Sequence, residues 1–464
     1  MLFPVCVMSG LPEGRTARWI RRIAAASTAS ATYTTTLTTN IAHCAVAVGL
    51  LMLLTGSLSA APPVVENHKT GSTVRYPVVL LRGRLDKAQR QLTIVNQQQP
   101  EAAPIAADVH EGRFKALVPL SRGVNQIRLQ TATEQTQLEL TWELQTNPYY
   151  VRLVWMTDNT GETAFAAPTD DVPQDYEARL RTAAQLMQTF TAERMHDLGF
   201  ARKTFRLERD DDGQIVVHTL AGPESADFYY QLGDSNGWWR NVYRWLNQDH
   251  PDRFAKNIVL AAYTRKDPDT GQLKGHTALG GGNLGLFGSA SVFSWPRDIS
   301  TAVDVFQDDT RVDGTKVHDD SAGRSTYWGL AATTIGATLH EMGHTFGLPH
   351  CKDGRGIMTR GFDRFNRVFT LVEPPSGRNR RELPIAADSE AYFAPISAAF
   401  LQWSRWFQLD ETNYEDDAPP RIEITEQAVR VSAASGVRWV GFWVGSDVFA
   451  YREFGPDDGD LTSV

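Results

Sequence analysis

HEMGHTFGLPH, residues His340 to His350, is the stretch from which the rest of the chain is read. Its pattern is His-Glu-x-x-His-x-x-Gly-x-x-His. On a helix, residues four apart share one face, so His340 and His344 can reach a single metal ion. Glu341 then lies beside that ion without being forced to ligate it. Gly347 can take the left-handed conformation that ends a helix, and the returning chain lets His350 supply a third nitrogen. Three protein nitrogens leave one tetrahedral position open, which is the catalytic form of a zinc site and not the closed structural form. The expected ion is Zn2+, with His340, His344 and His350 as ligands and Glu341 as general base.

GIMTRG places Met358 eight residues after His350. With this methionine the pattern resembles the metzincin clan of zinc endopeptidases, and the short spacing is similar to that of the matrixins. The resemblance implies that Met358 packs under the imidazoles as an apolar floor. Where astacin-like enzymes place a tyrosine ligand, two residues after the methionine, this chain has Arg360, for which an ion pair within the fold is expected. Cys351 follows the third histidine and is expected to be a buried spectator.

The composition is that of a globular protein, 42% apolar and 22% charged over 464 residues, a length for two or three domains. Residues 1–61 hold four Arg and one Glu, so the formal charge of −8 leaves −11 on the remainder. An acidic body argues against nucleic acid as a partner. The first 61 residues run from a basic segment (RTARWIRR) through Ser/Thr/Ala-rich sequence to an apolar core, Ala45 to Leu54, and small residues near Ala60 and Ala61. That order is expected of a secretory signal peptide or an N-terminal anchor. A secreted or envelope location follows, with no stable membrane insertion unless the segment is retained. Cys6 and Cys44 fall within it, which leaves Cys351 alone and no internal disulfide.

Residues 62–147 alternate strand-like runs with polar breaks and predict a β-sandwich-like accessory domain. Residues 148–415 turn to mixed α/β patterning and are expected to be the peptidase domain. There YYVRLVWMTD predicts a buried strand, and DYEARLRTAAQLMQTFTAERMHDLG a long helix packed on a sheet. KTFRLERD and GQIVVHTL are expected strands. GWWRNVYRWLNQ is an expected helix whose Trp238, Tyr243 and Trp245 serve packing. Gly280, Gly281 and Gly282 lie in a segment that predicts close backbone approach. It resembles the metzincin edge strand that binds substrate backbone. The acidic stretch from Asp304 to Asp320 lacks EF-hand spacing and is expected to be a solvated loop. Ser325 or Thr326 is the expected cap of the active-site helix. NRVFTLVEPPSGRNRRELP is an expected loop, followed by a helix from near Pro395. Residues 416–464 predict a C-terminal β segment with too few strands for its own core.

GRFKALVPLSRGVNQIRL, TALGGGNLGLFGSASVFSWP, STYWGLAATTIGATLHEMGHTFGLPH and GIMTRGFDRFNR resemble, across residues 75 to 452, a narrower family of zinc metallopeptidases. Some of its members carry a C-terminal lectin-like (jacalin-type) domain. The expected fold class is therefore α+β: a metzincin-like catalytic domain with an N-terminal β-sandwich-like domain and a C-terminal β segment. The expected activity is zinc-dependent endopeptidase on protein or peptide. The competing readings are a secreted binding protein with a non-catalytic zinc site and a zinc hydrolase of a non-peptide amide.

Overall fold

Strand Val78–Arg84 begins VVLL because both of its faces are covered. Side chains alternate along a strand. Val79 and Leu81 enter one apolar core, while Val78 and Leu80 enter another. In the computed structural model, which describes residues 3–8, 61–232, 235–411, 419–434, 436–445, 447–455 and 461–464, this strand joins two units. The apolar run Ala45 to Leu54 of the expected signal peptide lies outside the described residues.

On one side stands a pair of sheets. Val78–Arg84 belongs to a four-stranded sheet with Val64–Val65, Arg113–Pro119 and Asp108–His110. The facing sheet holds Ser72–Val74, Gln135–Trp142, Gly123–Gln130, Thr93–Asn96 and Ile105–Ala106. Phe114, Ala116 and Val118 meet Ile127, Leu129 and Leu140 between them.

On the other side is a five-stranded sheet of β1 (Tyr150–Thr157), β2 (Val217–Ala221), β3 (Ala255–Ala261), β4 (Ala278–Gly281) and β5 (Leu284–Gly288). Its order is β2-β1-β3-β5-β4. All pairings are parallel except β4 with β5, so an antiparallel edge strand closes one end. A parallel sheet needs both faces covered. Leu153, Trp155, Ile258 and Leu260 face helices α1 (Tyr176–Asp197) and α3 (Tyr327–Thr345). Val154, Met156, Val259 and Leu286 face Trp238, Val242 and Trp245 of α2 (Ser235–Asp249), where those aromatics serve packing. Helix α4 (Pro395–Trp403) lies beyond.

KTFRLERD departs from the strand expectation: only isolated pairings occur, at Leu207 and Arg209, because the Phe205 carbonyl is taken by the Gln188 side chain of α1 and Arg206 donates to the Asn147 carbonyl. The expected loop after Met358 contains the short pair Val372–Glu373 with Leu383–Pro384. Near the C-terminus, Val437–Val444 pairs antiparallel with Asp447–Glu453, and its other edge takes the backbone of Phe3–Met8 in parallel. These strands pack on the unit that carries α4: Trp439 meets Phe400 edge-on at 5.2 Å. Among the described residues, no helix is long and apolar enough to cross a membrane.

The two units are tied by a buried carboxylate. Glu193, on α1, has no solvent exposure. It lies 3.0 Å from His68 Nε2 and accepts from Tyr76 Oη at 2.7 Å and Asn67 Nδ2 at 3.0 Å, with Arg202 at 3.3 Å. Burial works to raise its pKa, but the His68, Arg202 and Tyr76 contacts outweigh burial and hold it well below the usual carboxylate range. A depressed carboxylate pKa adds stability that is complete above the unfolded value and is lost as pH falls. Stability measured by denaturant unfolding is therefore expected to be level above about pH 5 and to decline below about pH 4. Glu193→Gln is expected to cost roughly 3–5 kcal/mol at neutral pH and to flatten that acid limb; an unchanged pH profile would remove Glu193 as its source.

Candidate metal centre and active site

Helix α3 carries the first three residues of the site. Thr326 caps it, its Oγ1 accepting the Gly329 N–H at 3.3 Å. At the other end Gly347 adopts φ +91°, and the Gly347 and Leu348 amides donate to the His344 and Gly343 carbonyls, each at 3.0 Å. That left-handed turn sends the chain back toward the helix and places His350 against the first two histidines.

The three imidazoles converge. Nε2 of His344 lies 3.1 Å from Nε2 of His340 and 3.2 Å from Nε2 of His350. All three ligand nitrogens fall within 4.8 Å of one another, and no other group of three such side chains is found among the described residues. Around a tetrahedral zinc with Zn–N bonds of about 2.0–2.1 Å, nitrogens stand roughly 3.3–3.4 Å apart. The far side of two rings is fixed by the main chain: Nδ1 of His340 donates to Ile357 O and Nδ1 of His344 to Leu348 O, both at 2.8 Å. Protons held there turn the Nε2 lone pairs inward. Burial, helped by the neighbouring His344, pushes His340 down to about 3 and keeps it neutral. The donor set fits zinc.

Glu341 is buried next to this group, and burial pushes its carboxyl up to about 7, with the Gly280 amide acting against that rise. Strand β4 runs directly over it. A Cβ on Gly280 would stand 2.0 Å from the Glu341 carbonyl oxygen, so only glycine allows this contact. On the opposite face of the strand, Trp239 lies 3.7 Å from where a Gly281 Cβ would be. The outer edge of β4 has no partner strand among the described residues.

Met358 is buried under α3, where a Cβ on Gly343, between the two helical histidines, would meet its sulfur at 2.4 Å. Cys351 is buried too, with Sγ 3.0 Å from Thr359 Oγ1. Arg360 pairs with Asp363 at 3.0 Å and lies over the Phe362 ring, which in turn packs edge-on against His340 at 5.3 Å. The acidic stretch resolves into turns in which Asp308, Asp313 and Asp319 accept amides two residues ahead. The sequence offered no side-chain signal for the two orienting carbonyls, since every residue has one.

A mixed α+β fold brings three imidazoles together beside a buried carboxylate, a cluster that could hold a metal ion. Residues 62–438 match the family described as "Putative peptidase family", and the chain belongs to that family. A relative from Schizosaccharomyces pombe, named a putative zinc metalloproteinase, is 26% identical over 441 residues, covering 86% of this chain and 69% of its own. One of the same description from Saccharomyces cerevisiae is 27% identical over 351 residues, covering 67% of this chain and 49% of its own. Among solved structures, wild-type OgpA from Akkermansia muciniphila is similar over 69% of this chain and 84% of its own, with 19% identity and a TM-score of 0.41.

The approach of β4 to Glu341 has a direct test. Gly280→Ala is expected to destabilise the protein by about 1–3 kcal/mol, because backbone atoms, not a flexible side-chain tip, must give way. Denaturant unfolding measures it, and a loss below about 0.5 kcal/mol would mean that the strand does not press on the helix.

Proposed function

We propose that the chain is a zinc-dependent endopeptidase of the metzincin type, with Glu341 as general base. The observation that carries this reading is the convergence of His340, His344 and His350 beside buried Glu341 under an open strand edge. A zinc ion held by the three nitrogens would supply Lewis-acid polarisation of the scissile carbonyl and lower the pKa of a water to about 7. Glu341 takes the proton of the attacking water and delivers it to the departing amine. Its burial keeps bulk water from levelling its basicity, and its place next to the first ligand aims the carboxylate at the open side of the site. Met358 supports the helix from below, and the outer edge of β4 is where an extended peptide would add as a strand, its backbone aligned past Glu341.

Glu341→Gln is expected to lower peptide hydrolysis at least about a hundredfold while leaving zinc content and fold nearly unchanged. His344→Ala is expected to lose the zinc itself. Cleavage of denatured protein with and without chelator, alongside elemental analysis, separates the two effects. Near wild-type cleavage by the Gln variant would rule out the general-base role. Wild-type protein that holds zinc and cleaves no peptide would favour a binding protein or an amide hydrolase of another kind.

The chain is further proposed to be exported and cut near Ala61, on the basic, apolar, small-residue order of its first 61 residues. Cutting there would remove Phe3–Met8 from the edge of Val437–Val444. N-terminal sequencing of native protein is expected to begin close to Ala61; an intact Met1 would mean that the segment is retained.

A further inference from the structure

The three histidines are not equally supported. His340 and His344 sit on a capped helix, and each has its Nδ1 fixed by a carbonyl. His350 lies on the returning loop and is exposed, and among the described residues nothing but the other imidazole accepts from or donates to its ring. A ligand on a loop costs conformational freedom each time the metal binds, unless something else holds the loop.

That holding element is at the far C-terminus. The backbone of His350 forms a parallel bridge with Asp447, the first residue of strand Asp447–Glu453. Two residues beyond the histidine, Lys352 Nζ stands 4.0 Å over the ring of Phe449. The strand itself is anchored. Val448 is buried and belongs to the same core as Trp439, Phe400 and Met358. Phe400 reaches back to the turn that delivers His350: a Cβ on Gly347 would lie 3.2 Å from its ring. The loop is therefore gripped at Gly347 by α4 and at His350 and Lys352 by the hairpin. This strand lies beyond residue 438, where the family match ends.

The geometry points to the C-terminal hairpin as the positioning element of the third ligand: main-chain pairing of Asp447 with His350, reinforced by Lys352 on Phe449, pre-organises His350 for zinc. Asp447 and Phe449 touch no metal; they act through His350. The inference concerns metal affinity and stands whether or not the chain cleaves peptides.

Zinc affinity of the full-length protein, measured by competition with a chromophoric chelator, tests it. Asp447→Pro removes an amide and fixes φ at the bridge. It is expected to weaken zinc binding about tenfold or more, in the range found when outer-shell supports of metal ligands are removed. Phe449→Ala, at an exposed ring, is expected to weaken it a few-fold, and Phe449→Trp, which keeps a cation-binding face, to restore it. Asp447→Asn keeps the backbone and is expected to bind zinc as the wild type does. The same substitutions made in His350→Ala protein are expected to cause no further loss. Zinc affinity within twofold of wild type for both Asp447→Pro and Phe449→Ala would overturn the inference. So would an equal loss in Asp447→Asn, which would assign the effect to the carboxylate, or an undiminished loss in the His350→Ala background. If Asp447→Pro fails to fold by circular dichroism, Phe449→Ala and its rescue by Trp decide the matter.

Discussion

Two main-chain carbonyls, Leu348 O and Ile357 O, determine what the histidines of α3 can do. Each takes the Nδ1 proton of one ring at 2.8 Å. An imidazole whose Nδ1 is so occupied presents Nε2 as a lone pair, and two such rings facing each other at 3.1 Å repel unless a cation stands between them. The rest of the unit serves to put these carbonyls in place. Leu348 follows the left-handed turn at Gly347. Ile357 immediately precedes buried Met358, so the segment that fills space under α3 also presents the carbonyl that orients His340.

This explains which parts were legible in the sequence. The three histidines, Glu341, Gly347 and Met358 are side-chain or glycine requirements, and a residue type at a spacing is what a sequence displays. Gly280 was legible for the same reason: a strand that must lie on a helix backbone can carry no Cβ at the crossing, and the crossing proved to be at Glu341 itself. The orienting carbonyls and the Asp447 bridge are backbone contacts that any residue can make, so no letter marks them. KTFRLERD misled because alternating apolar residues can be buried by a helix while the backbone meets the adjoining strand at a single bridge, Leu207 with Val151 of β1.

The N-terminal sheets show a second kind of dependence. Val78–Arg84 is buried on both faces, and Lys115, two percent exposed on the adjoining strand, bonds Glu390 at 2.8 Å and the Arg367 and Thr370 carbonyls of the segment after Met358. Glu390 also accepts from Arg194 of α1. Buried charges are tolerable only when every partner is held in position, and loss of one leaves the others stranded in low dielectric. The accessory sheets are thus wired to both the helix under the central sheet and the loop that follows the methionine.

A metal site of three nitrogens on one helix and one loop needs rigidity from outside the motif, because HEMGHTFGLPH by itself fixes only two ligands. The helix contributes its share through its cap at Thr326 and through burial of nearly all its length. The loop is held on either side of the third ligand, by the Gly347 and Leu348 amides on the His344 and Gly343 carbonyls and by the Cys351 amide on the Met358 carbonyl, while no such contact fixes the His350 ring. The remaining constraint comes from sequence about a hundred residues later, where Trp439 on Phe400 and Asp447 beside His350 close the turn from below. The motif therefore specifies the chemistry, while the distant hairpin supplies the order that lets three separate nitrogens act as one site.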